Sequence, residues 1–280
     1  MISVVTPVYN GEKYIEACIQ SVISQAFPEL EHIIIDGGST DRTVEIVRRY
    51  ADQYPHIRWI SEKDRGQSHA MNKGIAMARG DILGILNVDD SYAPGAFMRV
   101  AELFQSLPVP AFVVGNCNVW EDNGNLLYVN KPHRLRLAQL LLGPMVCPYP
   151  INPSAYFCHT VLLEQTGAYN ETYHMELDVD FILRAVQVAH VKYYDEIWGN
   201  FHLLKGTKTW KDIQSGTDRA AHLLRFYRKY LPRHQQWCVA ILYPLCNSHV
   251  LTPVLYFWRN PGQLFPRLKA RLKNIFHSTT

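Results

Sequence analysis

The sequence predicts an α/β protein with a mainly parallel sheet, helices on both faces of that sheet, and a C-terminal helical extension. Between residues 2 and 120, short apolar runs alternate with stretches whose apolar residues recur at helical spacing. This alternation is typical of parallel sheets. Hydrophobic residues make up 48% and charged residues 19% of the 280 positions. The composition therefore excludes a disordered or fibrous chain, and the length allows a sizeable core.

Five apolar runs are predicted strands, at residues 2–8, 32–36, 58–61, 82–86 and 112–120. Helices are predicted over residues 12–25, after Thr40, over about 68–78 and from Pro94. Ser39 and Thr40 are candidate caps of the second helix, and Asp41 would lie in its first turn, where the helix dipole favours a negative charge. The Asp-Asn-Gly-Asn segment at 122–125 is a turn signal, which predicts a hairpin over 112–129.

Polar and acidic residues follow four of the predicted strands. These residues are Pro7, Tyr9 and Asn10 after the first, Asp36 with Gly37 and Gly38 after the second, Lys63 and Asp64 after the third, and Asn87, Asp89 and Asp90 after the fourth. Ligands bind at the carboxyl ends of parallel strands. Since core packing does not explain charged residues at these positions, the pattern predicts one carboxylate-rich crevice.

Each segment by itself has two interpretations. Two adjacent carboxylates at 89 and 90 repel each other unless a cation such as Mg²⁺ or Mn²⁺ lies between them, but a solvated turn explains them equally well. The segment from Asp36 to Asp41 suits an anion at a helix N-terminus or a plain capped helix start, and Asp36 could accept a hydrogen bond from a base. Tyr9 can stack a base. Neither a dinucleotide fingerprint nor a P-loop is present.

Taken together, the segments at 4–10, 33–41, 62–66, 70–81 and 86–90 resemble the family-two glycosyltransferases, inverting enzymes of the GT-A fold, here of the bacterial surface-polysaccharide type. The match covers about the first third of the chain, and a weaker one continues to about residue 210. The resemblance implies a GT-A domain over 1–210, with a nucleotide-sugar half at 1–120 and an acceptor half at 121–210. Residues 211–280 would form a basic, apolar helical tail.

The resemblance also implies residue roles on the donor side. Tyr9 and Asp36 would hold the base, and the donor-binding set comprises Pro7, Tyr9, Asn10, Asp36, Asp64, Lys73 and Asn87. Asp89 would be the main ligand of a divalent metal, Mn or Mg, with Asp90 beside it and His202 as a third ligand. Asn87 replaces the first Asp of the family's Asp-x-Asp-Asp segment. Because an amide brings no charge, this replacement weakens the expectation of strict metal dependence.

The acceptor half carries the acidic segment Met175 to Asp180 at the start of a predicted helix. Helix N-termini favour acidic residues in any case, and Glu176 and Asp180 would share a face from which Asp178 points away. In the family, the catalytic base opens this helix, so Asp178 is the best match and Glu176 the second. The Gln-x-x-Arg-Trp signature of processive synthases is absent. Transfer of one sugar is therefore expected. The resemblance implies a nucleoside-diphosphate sugar, a UDP-sugar, as donor, and together with the tail described below it implies a lipid-linked or surface-glycan acceptor. The alternative is a non-catalytic sugar-nucleotide-binding or scaffold protein.

Charge is distributed unevenly. Residues 1–218 contain all 25 acidic residues but only 18 of the 28 basic ones, whereas residues 219–280 contain ten basic residues and no acidic one. Residues 237–258 are apolar and aromatic but are interrupted by prolines and polar residues, which predicts binding to an anionic membrane surface rather than a full span. A packed helical subdomain explains the apolar content equally well. Nucleic acid is not expected, because the first 218 residues are acidic.

The location follows from the same sequence. The six cysteines show no metal-binding spacing and predict reduced buried thiols. The N-terminus shows no secretory signal. A cytoplasmic protein on the inner face of the membrane is expected.

Overall fold

A computed structural model describes residues 1–141, 147–173, 175–214, 226–231 and 236. The chain divides into two compact units, one formed by Met1–Leu137 with Tyr149–Thr217 and the other by Ala138–Pro148 with Asp218–Thr280. The first unit contains the sheet and every predicted site residue. The domain boundary expected between residues 210 and 211 stays a prediction.

In the described part of the chain, nine strands form one sheet: β1 (Ile2–Val8), β2 (Leu30–Asp36), β3 (Ile57–Ser61), β4 (Ile82–Ile85), β5 (Ser91–Tyr92), β6 (Ala111–Glu121), β7 (Leu126–Asn130), β8 (Tyr156–His159) and β9 (His190–Leu203). The helices described are α1 (Ile15–Ile23), α2 (Thr43–Ala51), α3 (Gln67–Met77), α4 (Ala96–Phe104), α5 (Leu137–Leu140), α6 (Leu162–Thr166), α7 (Leu177–Val188) and α8 (Lys208–Gln214).

The strand order is β3-β2-β1-β4-β8-β6-β9-β5, with β7 paired to β6. The pairs β1–β2, β1–β4, β2–β3 and β6–β9 are parallel, and β8 runs antiparallel between β4 and β6. Val8 lies opposite Asp36, and Asp36 opposite Ser61, so the first three strands end at one edge of the sheet. The predicted α/β class and sheet are confirmed.

Helices cover both faces of the sheet, as predicted. On one face, α1 and α4 pack over β1, β4, β6 and β8, and α1 and α2 pack over β1 and β2. On the other face, α3 approaches β1 and β2 so closely that a side chain at Gly74 would strike Val5. Phe181 of α7 lies 6.1 Å from the ring centre of Phe112 on that same face. Apolar burial from both sides explains why these strands read as continuous hydrophobic runs.

The elements up to the hairpin β6–β7 form close to the predicted positions. One prediction of detail is wrong: Ser39 and Thr40 do not cap α2, which begins at Thr43 after Arg42. Instead, Asp41 accepts a hydrogen bond from the Thr43 backbone N–H at 3.0 Å. The reason is tertiary, because Ser39 and Thr40 bond to Asp36 and Asn10, as described below.

The basic tail falls largely outside the described residues. Only residues 211–214, 226–231 and 236 of the tail are described, and the whole apolar stretch at 237–258 lies outside the described residues. Among the residues that are described, none belongs to a helix with the length and apolarity needed to cross a bilayer.

Candidate active site

The loop after β1 is fastened to the loop after β2. The Asn10 backbone N–H donates to Ser39 Oγ at 2.7 Å, and the Thr40 N–H donates to Asn10 Oδ1 at 2.9 Å. Asn10 adopts a left-handed backbone conformation with φ of 50°, which asparagine tolerates better than most residues. The side chain of Tyr9 stays 62% exposed at this edge. Pro7 is buried in β1.

Asp36 ends β2 and is itself buried. Its Oδ2 accepts hydrogen bonds from the Gly38 N–H at 3.1 Å, the Ser39 N–H at 3.0 Å and the Ser61 hydroxyl at 2.7 Å, and its Oδ1 accepts a short bond from the Ser39 hydroxyl. Both carboxylate oxygens are thus bonded within the chain. Asp36 holds the loop after β2 in place and joins it to β3.

Asp64, from the loop after β3, lies directly over Gly37. A Cβ atom built on Gly37 would come within 2.5 Å of Asp64 Oδ2. Asp64 is held in this position by the Gly66 N–H, which donates to Oδ1 at 2.8 Å. The loop after β3 therefore supplies a carboxylate at the place where the loop after β2 has no side chain.

This contact gives a first prediction. If this edge binds UDP, as the resemblance implies, Gly37→Ala is expected to push the Asp64 carboxylate aside and to weaken UDP binding roughly 10-fold. The fold should survive, because only the end of one side chain must move. Calorimetry with UDP measures the change. The control is Asp64→Ala, alone and combined with Gly37→Ala. If Gly37→Ala acts by displacing Asp64, it has no further effect once Asp64 is removed, so the single variant Asp64→Ala and the double variant bind UDP equally. Weaker UDP binding by the double variant would contradict this explanation.

Lys73 of α3 turns toward the same loop. Its Nζ lies 2.7 Å from Glu62 Oε1 and 3.4 Å from the Lys63 carbonyl oxygen. On the outer side of the loop, Arg65 pairs with Glu171 at 2.7 Å, and Asn72 donates to the Tyr169 carbonyl at 2.9 Å. Loop 62–66 is therefore held between α3 and the segment before α7.

Asn87, Asp89 and Asp90 follow β4. The Asn87 amide accepts from Gln67 at 3.0 Å and donates to Asp90 Oδ2 at 3.1 Å. Burial raises the pKa of Asp89, and burial together with the neighbouring charge of Asp89 raises the pKa of Asp90 well above its ordinary value. No described lysine or arginine forms an ion pair with either carboxylate. This pair of acids therefore lacks a cation supplied by the described residues.

His202 of β9 lies beside this pair. Its backbone N–H donates to Asp90 Oδ1 at 3.1 Å, and burial lowers the pKa of its imidazole, which keeps the ring neutral as a metal ligand requires. Over the described ranges, no three His, Cys, Asp or Glu side chains are grouped so that they could hold a metal ion. Mg²⁺ and Mn²⁺ sites often use one or two carboxylates and complete their shell with phosphate oxygens. The donor set fits that type of site.

Asp178 opens α7 inside a cluster of aromatic rings. Tyr156 donates its hydroxyl to Asp178 Oδ1 at 3.0 Å, and the hydroxyls of Tyr156 and Tyr169 lie 3.3 Å apart. Burial raises the pKa of Asp178 to about 6, against the opposing effects of the Tyr156 hydrogen bond and the charge of Lys208. A carboxylate with a pKa near neutrality can accept a proton at physiological pH.

The other two acids of this segment have different surroundings. Asp180 is buried and forms an ion pair with Arg184 at 2.6 Å, and Arg184 also donates to the Thr166 carbonyl at 2.6 Å. Asp180 therefore joins α7 to the end of α6. Glu176 precedes the helix, and its carbonyl accepts the Asp180 N–H at 2.7 Å. Of the three, Asp178 has the surroundings of a proton acceptor.

The sequence profile of the family described as "Glycosyl transferase family 2" matches residues 3–162, more than half of the chain. The chain belongs to this family. The match extends from β1 through β8 and so includes the strand ends that carry Tyr9, Asp36, Asp64 and Asp89. It ends before α7 and before β9.

Relatives of this family-2 chain include named bacterial proteins. It is 29% identical to chondroitin synthase of Escherichia coli over 210 residues, which cover 75% of this chain and 30% of that protein. It is 33% identical to the uncharacterized glycosyltransferase YibD of Escherichia coli K12 over 146 residues, which cover 51% of this chain and 42% of that one. The chain thus spans less than half the length of these relatives.

Solved structures share the GT-A fold of this family-2 chain. S. aureus TarS 1-349 in complex with UDP has a TM-score of 0.63 at 18% identity, covering 86% of this chain and 70% of that one. The mannosyltransferase PcManGT of Pyrobaculum calidifontis, in complex with GDP-Man and Mn²⁺, has a TM-score of 0.62 at 20% identity, covering 91% and 71%. At these identities the likeness establishes the fold alone.

Sequence reasoning missed three polar residues that contact the predicted ones. Gln67 bonds to Asn87, Asn152 bonds to Asp90, and Tyr156 bonds to Asp178. Asn152 could have been noticed as a cap, because Asn-Pro-Ser begins the 3-10 turn Pro153–Ala155. Its contact with Asp90, 62 positions away, has no local signal.

Proposed function

We propose that the chain is an inverting glycosyltransferase. It moves one sugar from a nucleoside-diphosphate sugar, a UDP-sugar, to a glycan or lipid-linked glycan acceptor. The observation that carries this proposal is a pair of acids on the family-2 fold whose pKa values burial raises: Asp89, in the loop after β4, and Asp178, in the first turn of α7. Membership of the family and the likeness to structures with UDP-GlcNAc and GDP-Man bound support it.

On the donor side, we assign the nucleotide to the ends of β1, β2 and β3. The exposed ring of Tyr9 offers a stacking surface for the base, and Asp64 offers a carboxylate above Gly37. Asp36, Pro7 and Asn10 shape this edge, because Asp36 and Asn10 hold the two loops together. Lys73 holds loop 62–66, and Asn87 can bond a ribose hydroxyl.

We assign a divalent metal, Mn or Mg, to the end of β4, with Asp89 as its main ligand and the neutral His202 imidazole beside it. When bound, such an ion stabilises the negative charge that develops on the leaving diphosphate. Asp89 would bring the negative charge that attracts the ion to this strand end. Asp90 lies next to it, and both of its oxygens accept hydrogen bonds within the chain.

On the acceptor side, Asp178 removes the proton of the attacking hydroxyl. Its elevated pKa matches a base that works near neutral pH, and Tyr156 holds Oδ1 so that the carboxylate keeps one orientation. The hydroxyl oxygen forms the new bond to the anomeric carbon as the diphosphate oxygen leaves, and the proton stays on Asp178. The acceptor itself is proposed to lie at the inner face of a membrane, because residues 219–280 carry ten basic residues and no acid. Flotation with anionic liposomes at low salt tests this location.

The stereochemistry of the product is a second prediction. A single base with direct displacement inverts the anomeric centre, so an α-linked donor is expected to give a β-linked product. The anomeric coupling constant in the NMR spectrum of the product measures the outcome. Retention of configuration would contradict the proposed mechanism, because retention needs a second displacement.

A panel of UDP-, GDP-, dTDP- and CMP-sugars with Mn²⁺ tests the function as a whole. A ligand that binds only the folded state raises the melting temperature, so UDP-sugars are expected to raise it and the others to have little effect. Slow donor hydrolysis distinguishes an enzyme from a protein that only binds. If no nucleotide sugar stabilises the chain, the proposal fails, and if UDP-sugars bind but are neither transferred nor hydrolysed, a scaffold role replaces it.

A further inference from the structure

Three N–H donors converge on the buried carboxylate of Asp90. Oδ2 accepts from the Asn152 amide at 2.7 Å and from the Asn87 amide at 3.1 Å, and Oδ1 accepts from the His202 backbone N–H at 3.1 Å. Asp90 is 3% exposed. Both of its oxygens are therefore already bonded within the chain.

Two of the three donors come from distant parts of the sequence. Asn87 is three positions away at the same strand end, whereas Asn152 is 62 positions away before β8 and His202 is 112 positions away in β9. The Asp90 carboxylate therefore joins the end of β4 to two later segments of the chain. Because a buried polar group without partners is costly, these bonds favour keeping the three segments together.

Asn152 has the shortest of these bonds and is itself fixed. It is 2% exposed, and its Oδ1 accepts from the Ser154 N–H at 3.0 Å and the Ser154 hydroxyl at 2.6 Å. These bonds leave its amide group one orientation, with Nδ2 toward Asp90. Ser154 in turn fills the space over Gly199 of β9, where any added Cβ would strike it.

We propose that Asn152 is a positioning residue for the metal side of the donor crevice. By holding Asp90 against β9, it fixes the backbone turn from which Asp89 projects. In this proposal Asp90 is an anchor, that is, it holds the turn in place and does not bind the metal itself. Its oxygens already accept N–H groups, and a cation could bind them only by displacing those donors. This inference rests on the proposed function, since it concerns the carboxylate that the function assigns to the metal.

The test distinguishes the bond between Asn152 and Asp90 from the bonds that Asn152 makes to Ser154 in its own turn. Asn152→Asp keeps an oxygen for Ser154 but places a carboxylate against Asp90, whereas Ser154→Ala removes a hydroxyl next to Asn152 and leaves the Asn152–Asp90 bond. Calorimetry of the full chain with UDP, with and without Mn²⁺, is the measurement. Substitutions in the outer shell of a metal site typically cost about 10- to 100-fold in metal affinity. In Asn152→Asp, we expect the gain in UDP affinity that Mn²⁺ provides to fall by about 10- to 100-fold, while UDP affinity without metal stays within about 2-fold of the wild type. Ser154→Ala is expected to keep the full gain.

A charge swap decides between anchor and ligand. In Asn152→Asp combined with Asp90→Asn, the hydrogen bond re-forms with donor and acceptor exchanged, so the Mn²⁺-dependent gain is expected to return in part. If the double variant binds Mn²⁺-UDP no better than Asn152→Asp, Asp90 is a direct ligand and the proposal is overturned. It is also overturned if Asn152→Asp keeps the full gain.

Separate measurements distinguish a loss of folding from a loss of metal binding. Melting temperatures identify a variant that does not fold, and Asn152→Ala then replaces Asn152→Asp in the same comparison. A wild-type chain that binds no UDP, with or without Mn²⁺, contradicts the proposed function. A wild-type chain that gains UDP affinity from Mn²⁺ while Asn152→Ala gains as much contradicts only the role of Asn152.

Discussion

Asp178→Asn is expected to reduce sugar transfer by about 10²- to 10⁴-fold, the usual contribution of a general base, while UDP binding stays unchanged. The substitution removes the ability to accept a proton and changes little volume. Tyr156 can still donate to the remaining carbonyl oxygen, so the aromatic cluster should keep its shape. Initial rates of transfer, together with UDP affinity by calorimetry, measure the two effects on the same protein.

Glu176→Gln is the matched control, two positions earlier in the same acidic segment. It is expected to transfer sugar at close to the wild-type rate. The reverse result, with Glu176→Gln inactive and Asp178→Asn active, would assign the base to Glu176.

The pH dependence of the wild-type enzyme follows from the raised pKa of Asp178. A base must be ionised to accept a proton, so kcat/KM is expected to rise with pH through about 6 and then level off. Among the described residues, the titratable groups that face Asp178 are Tyr156, Tyr169 and Lys208. Burial raises the pKa values of both tyrosines well above 10, so they stay neutral over this range. A rate that rises only below pH 5 would exclude Asp178 as the titrating group.

The same shift affects stability. Because folding raises the pKa of Asp178 from 3.8 to about 6, its protonated form favours the fold, and this contribution is lost as pH rises through about 6. Asp178→Asn, which is never charged, is therefore expected to be more stable than the wild type at pH 8 by on the order of 3 kcal/mol, the free-energy equivalent of this shift, and to lose this advantage at pH 4. Thermal unfolding at the two pH values gives the comparison.

Asp89→Ala is expected to abolish the gain in UDP affinity that Mn²⁺ provides. Coupling between two bound ligands is typically about 1–3 kcal/mol, so Mn²⁺ should raise the UDP affinity of the wild type roughly 5- to 150-fold. In Asp89→Ala the ratio of UDP affinities with and without Mn²⁺ should be close to one. The fold should survive, because Asp89 follows β4 and lies outside the apolar core. Calorimetry with UDP, with and without Mn²⁺, measures the factor.

Asp81→Ala is the control for this experiment. Asp81 precedes β4 at its opposite end, where its exposed carboxylate lies 3.4 Å from the N-terminal amine. Its removal deletes one negative charge from the same strand without touching the crevice, so the Mn²⁺ effect should persist. An unchanged Mn²⁺ effect in Asp89→Ala would remove Asp89 from the metal site.

The position of the candidate site residues in the sheet was predictable because strand ends have a local signature. Apolar runs such as residues 2–8 and 82–86 stop abruptly at polar residues, and parallel strands end at a common edge. The roles within the site were less predictable. Ser39 and Thr40 have the composition of helix caps, yet they bond to Asp36 and Asn10, because those partners lie in space and not in sequence.

By itself, the sequence determined the α/β class, the order of the elements as far as the β6–β7 hairpin, and the edge of the sheet where the acids collect. The spacing of apolar residues and the polar residues that end a strand are local properties, which can be recognised in a short segment of the sequence. Only the tertiary structure decided which acid is bonded and by what. Asp36, Asp90 and Asp180 are each held by several bonds or an ion pair within the chain. Asp178 accepts one bond from Tyr156, and burial raises its pKa to about 6. The role of a carboxylate depends on its burial and on hydrogen-bond donors from distant segments, and neither can be predicted from the residues next to it in the sequence.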